Sequence, residues 1–418
     1  MHETLAMILA GGVGSRLNVL VSHRAKPAVP FGGIYRIIDF ALSNTMNSGL
    51  TRAAVLTQYK PLSLMRHIGT GSAWDFTGRT RIIEILPPRT GEKDSDWYKG
   101  TADAVRQNMD FIQARPSRQI LILSGDHIYH MDYRDMVNHH RKTGAEVTVA
   151  MMPVPLEDTH HFGIGILDDK GRIVDWEEKP KKARSNLASL GIYVFNTPYL
   201  LDALNRTKDV DFGHHIIPQA LADGVLFAYR FNGYWRDVGT IHAFWDANMD
   251  LLRPASGLYP ENWGIATNLD CDLPYDRPPI QIHPGARVAN SAIAPGCSIH
   301  GTVVNSVLSP GVKVERGAEV HDSVLMHDVL VETGAVLSRV IADKYVSIGH
   351  GCRIGIGDPS IPNKRYPKHL STGLTVIGKW AVCPAGTKVG TNCIVGPRVS
   401  ETSWAGIPSL PDGDTIEA

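Results

Sequence analysis

Leu5-Ala6-Met7-Ile8-Leu9-Ala10-Gly11-Gly12-Val13-Gly14-Ser15-Arg16-Leu17 is an apolar run that enters a glycine loop and meets a cation. The run has strand length, and the glycines follow it without a polar spacer, so the segment predicts a buried strand whose carboxyl end opens into an anion-binding turn. Gly11, Gly12 and Gly14 lack a Cβ and can take positive φ, which lets backbone N–H groups close on a phosphate, with Arg16 and Lys26 adding full charge. Two common nucleotide loops are excluded: the stretch has no terminal Gly-Lys-Ser/Thr, and Leu17 stands where a dinucleotide fingerprint needs its third glycine.

Outward from this loop, strand and helix patterns alternate to about residue 250. Ile37–Ser48 reads as a helix stopped by Gly49, Ala53–Thr57 as a strand, Gly100–Ile112 as a helix and Gln119–Ser124 as a strand. Such alternation predicts a doubly wound, largely parallel but mixed sheet that binds ligands beyond the carboxyl ends of its strands. Gly11–Arg16 and Gly125-Asp126-His127 both follow strands directly. Ile164–Trp176 reads as a hairpin turning at Asp168-Asp169-Lys170-Gly171, and Asn232-Gly233 predicts a second hairpin between Val225–Phe231 and Tyr234–Val238, with a helix from near Thr240.

Residues 253 to 280 are rich in proline and lack periodicity, so they read as a linker between a domain over 1–252 and another over 281–418. After the linker, glycine is followed three residues later by an aliphatic residue: Gly285/Val288, Gly296/Ile299, Gly311/Val314, Gly317/Val320, Gly334/Leu337, Gly351/Ile354 and Gly386/Val389. This is the hexapeptide signature of a parallel β-helix, with the aliphatic residue inside and the glycine at the corner. Longer alternating strands would have indicated a β-sandwich. Asp358–Thr372 breaks the repeat and reads as a loop thrown out of the solenoid.

Composition narrows the partners. Lys+Arg and Asp+Glu are both 42 in 418 residues, a zero net charge that predicts no nucleic-acid partner. Six apolar residues after the opening tetrapeptide are too few for a signal or a membrane span, which predicts a cytoplasmic protein without a membrane partner. The five cysteines, Cys271, Cys297, Cys352, Cys383 and Cys393, have no metal or redox spacing and read as reduced apolar fillers. The histidine pairs at 139/140, 160/161 and 214/215 likewise have no zinc spacing.

Several residues have the chemistry for joining phosphorylated compounds, each beside a plainer reading. Asp126 suits a metal or a helix N-cap, and Asp237 a metal or a turn. Lys179 follows Glu178 in a charge run that suits a phosphate or plain solvent. Ser189, Gly191 and Tyr193 line a strand able to meet a sugar or simply to pack, and Asp211 lies in a loop.

Together these segments resemble the bacterial glucose-1-phosphate adenylyltransferases. The resemblance rests on Ala10–Leu17, Arg24–Pro27, Arg36–Asn44, Trp97–Ala104, Gly125–Tyr129, Glu178–Pro180, Ala188–Phe195, Asp211–Gly213, Tyr234–Thr240 and the hexapeptides, in family order and spacing. It implies adenylyl transfer from ATP to α-D-glucose 1-phosphate with release of pyrophosphate, on a nucleotidyltransferase domain joined to a left-handed parallel β-helix. It also implies Mg2+ and a homotetramer. Arg16 and Lys26 would hold the ATP phosphates within the loop of Gly11, Gly12 and Gly14, and Tyr98 and Gly100 would lie near the base. Asp126 and Asp237 would hold the metal. Lys179 would take the sugar phosphate, while Glu178, Ser189, Gly191, Tyr193, Asp211 and Trp235 would surround the sugar.

His23, Arg24 and Arg36 match the family's site for phosphorylated metabolite effectors. The chain departs from the family pattern at Val13, commonly arginine, at His214, commonly lysine, and at His23, usually lysine. Two alternatives stay open: a non-catalytic regulatory paralogue, and a sugar-phosphate nucleotidyltransferase using UTP or dTTP.

Overall fold

A computed structural model describes residues 1–89, 97–269 and 276–418, so Cys271 and part of the linker lie outside the described residues. The chain packs as two compact units. One comprises Met1–Gly12, Ile38–Trp235 and Trp263–Ala266; the other comprises Val13–Ile37, Arg236–Asn262 and Thr267–Ala418.

The first unit is built on a nine-stranded mixed sheet. Its strands are β1 (Thr4–Ala10), β2 (Arg52–Thr57), β3 (Ile82–Leu86), β4 (Gln119–Ser124), β5 (Val147–Pro153), β6 (Gly163–Leu167), β7 (Ile173–Glu178), β8 (Leu187–Asn196) and β9 (Leu226–Arg230). The order runs β7-β6-β8-β4-β1-β2-β3, with β5 pairing with both β8 and β9. β4, β1, β2 and β3 are mutually parallel, whereas β8 runs antiparallel to β4, β5 and β6. β1 is covered on both faces, which explains its unbroken apolar sequence. Met7, Ile120, Ile122, Val149 and Phe195 form the centre of its core. Trp263 stacks on His130 at 5.3 Å between ring centroids, and Asn47 donates to its carbonyl at 2.9 Å.

The Gly163–Leu167/Ile173–Glu178 hairpin forms as read, with Asp168 accepting from the N–H groups of Lys170 and Arg172 and Gly171 at φ 78°. The second hairpin does not. Leu226–Arg230 pairs in parallel with β5, while Trp235–Asp237 lies in a separate two-stranded sheet. The long pairing surface of β5 outcompetes the local Asn-Gly turn, and Phe231 N–H extends it by donating to Met151 O at 2.8 Å. The helix expected over Gly100–Ile112 is also two helices, Thr101–Arg106 and Met109–Gln113. Asn108 stands between them with φ −114°, its amide donating to Ala104 O at 2.8 Å and to Tyr98 Oη at 3.1 Å. An asparagine side chain bonded to its own turn competes with the helix ladder in this way.

The second unit is dominated by a parallel β-helix of three sheets with six, seven and seven strands. All seven repeat glycines adopt positive φ, from 65° at Gly351 to 86° at Gly285, so the corners require glycine for the stated reason. Ile299, Val314, Val320, Leu337, Ile354 and Val389 are buried in the interior together with Cys297, Cys352, Cys383 and Cys393. Burial pushes the Cys297 and Cys393 thiols up to about 11, and raises those of Cys352 and Cys383. The rungs Ile293, Leu308, Leu325, Ala342, Ile377, Val395 and Ile416 align in one sheet, and the long step from Ala342 to Ile377 contains the looped-out stretch.

Other corners use residues that the glycine pattern does not reveal. Asp328, Tyr345, Trp380 and Arg398 take φ of 58° to 62°, each donating its N–H to a carbonyl one coil back. The arm Val13–Ile37 and the helix Ile241–Asp250 belong to this unit; Gly32 N–H donates to Asn248 Oδ1 at 2.9 Å, and Trp245 Nε1 donates to Asp322 O at 2.8 Å. Thr240 caps that helix by accepting from Ala243 N–H at 3.1 Å.

Candidate active site

In the first unit, the candidate residues lie at strand ends and at a bulge. Asp126 follows β4 directly and is succeeded by the short strand His127–Tyr129, so the N-cap reading is removed. Ser124 Oγ donates to Asp126 Oδ1 at 2.5 Å, and His127 Nε2 lies 3.6 Å from the same oxygen. Gly125 is forced by crowding, because a Cβ there would lie 2.8 Å from Ile38 Cδ1.

β8 supplies Ser189, Gly191 and Tyr193 across a register shift in its pairing with β5. Such a bulge re-aims side chains, and Gly191 carries it with φ 67°, while Ser189 Oγ accepts from Gly191 N–H at 3.3 Å. Tyr193 stacks on Phe212 at 5.7 Å, and burial raises its phenol above the ordinary tyrosine value.

Glu178 and Lys179 close β7. Their charged ends lie 3.7 Å apart, with the glutamate side chain 13% exposed and the lysine 58%. Burial is the main cause of a raised Glu178 carboxyl, Lys179 opposing it. Gly213 packs closely against the glutamate, a Cβ there standing 2.4 Å from Glu178 Oε2. Asp211 accepts from His214 N–H at 3.0 Å and from Thr101 Oγ1 at 3.2 Å, which fixes the loop that precedes Gly213.

Trp235 is 8% exposed, and its indole N–H has no hydrogen-bond partner among the described residues. A buried orphan donor costs about 1–3 kcal/mol unless a ligand satisfies it. Tyr98 is held by Gln58, with Gln58 Nε2 donating to Tyr98 O at 3.3 Å, and its hydroxyl donates to Leu86 O at 3.2 Å. A Cβ at Gly100 would lie 2.4 Å from Val210 O. Gly11 tolerates only close approach, 3.3 Å from Gln58 Cβ, whereas Gly12 has open space.

In the second unit, Gly14 is the one member of the glycine trio with positive φ, at 65°, and a Cβ there would meet Lys26 Cβ at 2.9 Å. Lys26 Nζ donates to Asp237 Oδ1 at 3.0 Å. Arg16 Nη2 and both Asp237 oxygens would crowd a Cβ at Gly239 within 3.0 Å. Arg16, Lys26 and Asp237 are thus gathered around Gly239. Val13 is half exposed and adds no charge.

The arm also carries the effector candidates. Arg24 donates through Nη2 to both Asp343 oxygens at 2.8 and 3.0 Å, the side chains being 3% and 1% exposed. Arg36 is buried and donates to Ala28 O at 3.1 Å. His23 meets Trp380 edge-on at 5.3 Å. Trp380 in turn stacks with Tyr345 at 6.2 Å, with Lys379 and Arg398 over its ring at 3.9 and 5.0 Å. Burial, followed by Arg398, Lys379 and Arg24, lowers the His23 pKa below the ordinary imidazole value, while Asp343 opposes them. The sequence reading missed Asp343, Lys379, Trp380 and Arg398, because side chains at solenoid corners carry no glycine mark.

An α/β sheet with its polar residues at strand ends, joined to a hexapeptide solenoid, defines a sugar-nucleotide type of nucleotidyltransferase. The family model described as Nucleotidyl transferase matches residues 5–253, and that described as GlmU-like, C-terminal hexapeptide matches residues 281–377. The chain is 48% identical over 425 residues to the glucose-1-phosphate adenylyltransferase of Thermomicrobium roseum, covering 100% of this chain and 98% of the relative. It is 47% identical over 425 residues to that of Thermotoga maritima, covering 100% and 99%, and 43% identical over 420 residues to that of Acetivibrio thermocellus, covering 98% and 96%. The chain belongs to the glucose-1-phosphate adenylyltransferase family. Enzymes of this kind act on nucleotide and sugar-phosphate substrates and generally use a divalent metal. No helix among the described residues is long and apolar enough to cross a membrane.

Proposed function

We propose that the protein transfers the adenylyl group of ATP to α-D-glucose 1-phosphate, giving ADP-glucose and pyrophosphate, the activating step of glycogen synthesis. Full-length similarity to relatives bearing that name carries the reading. A sugar-phosphate oxygen attacks the α-phosphorus of ATP as the bond to the β-phosphate oxygen breaks, and pyrophosphate leaves with that electron pair. Both nucleophile and leaving group are phosphates, so the chain need only position them and neutralise charge.

Lys179 takes the phosphate of glucose 1-phosphate. Glu178, Ser189, Gly191, Tyr193 and Asp211 surround the sugar, and Trp235 offers it an unsatisfied indole donor. Tyr98 and Gly100 sit near the base. Gly11, Gly12 and Gly14 line the triphosphate, while Arg16 and Lys26 meet its charge. Lys26 is bonded to Asp237 in the ligand-free protein, and its remaining N–H donors can meet a phosphate when ATP arrives.

Asp126 and Asp237 are the hard oxygen donors that suit Mg2+, which prefers one or two carboxylates together with substrate phosphates. When bound, the ion would neutralise the phosphate oxygens as charge shifts.

Regulation by phosphorylated metabolites fits the arm. His23 would meet the ligand beside Lys379 and Arg398, whereas Arg24 and Arg36, both internally bonded, hold the arm in shape. A cytoplasmic homotetramer, with the catalytic domain over 1–252 and the β-helix over 281–418, completes the reading.

Pyrophosphate release from ATP, Mg2+ and glucose 1-phosphate tests it, with UTP in place of ATP and an Asp126→Ala control. Release that needs ATP and Asp126 is expected. A folded protein that stays silent, even with candidate effectors added, would favour a regulatory subunit; equal use of UTP would favour a different nucleotidyltransferase.

A further inference from the structure

A row of aromatic rings crosses the first unit between two of the residues discussed above. His127 meets Trp235 edge-on with ring centroids 4.9 Å apart, and Trp235 meets Phe162 edge-on at 5.5 Å. At one end of the row, His127 Nε2 is 3.6 Å from Asp126 Oδ1. At the other, the carbonyl of Phe162 accepts the backbone N–H of Lys179 at 3.0 Å.

That last bond matters because Lys179 has φ 47°, in the left-handed region, and precedes Pro180. A non-glycine residue there is disfavoured and persists only where its surroundings hold it. The lysine side chain is 58% exposed and, among the described residues, pairs with Glu178, so the backbone at Lys179 strongly influences where its charged end lies. Phe162 itself is extended, with φ −126° and ψ 160°, and is anchored by its N–H to Thr159 O at 3.1 Å.

We propose that His127 and Phe162 are positioning residues for the sugar-phosphate substrate: the row His127–Trp235–Phe162 fixes the indole face and, through the Phe162 carbonyl, the left-handed turn that aims Lys179. The inference rests on the assignment of glucose 1-phosphate to this set of residues. Gly191 borders the row, its Cβ position lying at ordinary packing distance, 3.7 Å, from His127 Cε1. Each edge-to-face contact is worth roughly 0.5–1.5 kcal/mol, so loss of one ring corresponds to a roughly 2- to 12-fold weaker interaction.

The test combines steady-state kinetics with calorimetric titration of glucose 1-phosphate into the full-length protein and into Phe162→Ala, Phe162→Tyr, His127→Ala and His127→Phe variants. Phe162→Ala and His127→Ala are expected to raise both KM and Kd for glucose 1-phosphate by several-fold, with the KM for ATP held within about twofold. Phe162→Tyr and His127→Phe, which restore an aromatic edge, are expected to recover most of the loss. An unchanged sugar-phosphate Kd in the alanine variants overturns the row. So does a parallel rise of both KM values that tracks a fall in Tm, and so does absence of glucose 1-phosphate binding by the unmodified protein. Intact binding that responds to Phe162 in a protein releasing no pyrophosphate would sustain the row while sinking the transfer reaction.

Discussion

The arm of the second unit and the sugar side, the first-unit residues proposed for the sugar, satisfy their charges differently. On the arm, Lys26 is bonded to Asp237 and Arg24 to Asp343, both in surroundings that largely exclude water. On the sugar side, Lys179 is exposed, Glu178 is held against its ordinary ionisation by burial, and the Trp235 indole N–H has no hydrogen-bond partner among the described residues. An arm built from satisfied ion pairs is rigid without ligand. A sugar side with unsatisfied groups carries its strain beforehand and releases it on binding.

Four substitutions put that contrast at risk. Asp343→Ala should have the largest effect, because it strands a buried guanidinium; breaking such a pair costs about 3–5 kcal/mol, read as a fall in the denaturant midpoint. Replacing both partners, Arg24→Met with Asp343→Leu, should recover most of that loss, and a double variant as unstable as the single one would show that the pair is not the source. Lys26→Met removes the proposed charge-assisted bond to the ATP phosphates, worth about 1.5–3 kcal/mol, so the KM for ATP should rise roughly 10- to 100-fold with that for glucose 1-phosphate nearly unmoved.

Glu178→Gln tests the sugar side by pH. The buried carboxyl ionises above its ordinary value of 4.5, so its protonated form persists to higher pH than in an exposed glutamate. In the native protein, glucose 1-phosphate affinity should weaken as pH falls through that raised pKa, and the glutamine variant should lose the slope. The smallest effect belongs to His23→Gln. The folded imidazole titrates below 6.5, so the unfolded chain binds the extra proton first and stability declines as pH drops from 6.5 towards the folded value. Thermal melts of the variant should be flatter over that window; an unchanged slope would show that His23 does not contribute it.

The sequence revealed the solenoid most fully, because glycine three residues before an aliphatic is a local rule that seven of its corners obey independently. It also revealed β1, β4 and the β6–β7 hairpin, whose signals are likewise local. The Asn232-Gly233 hairpin failed since β5, far away in sequence, offered Leu226–Arg230 a longer ladder. Gly100–Ile112 failed at Asn108, where a side-chain bond to Tyr98 interrupts a favourable apolar period. Within the candidate site, the motif residues were legible as types, but their partners were not. Nothing in the local pattern joins Lys26 to Asp237, or Trp235 to His127 and Phe162, because those pairings exist only after folding.

The Arg24–Asp343 pair spans 319 residues of chain, which gives it a consequence during synthesis. At roughly 5–20 residues per second, the arm emerges from the ribosome about 15–60 s before its carboxylate exists. For that interval the nascent arm must remain unsealed, and its guanidinium must stay hydrated until the coil bearing Asp343 is laid down. A pause or truncation before that coil therefore leaves an early segment of the protein waiting for a late one, however well the intervening sheet has formed.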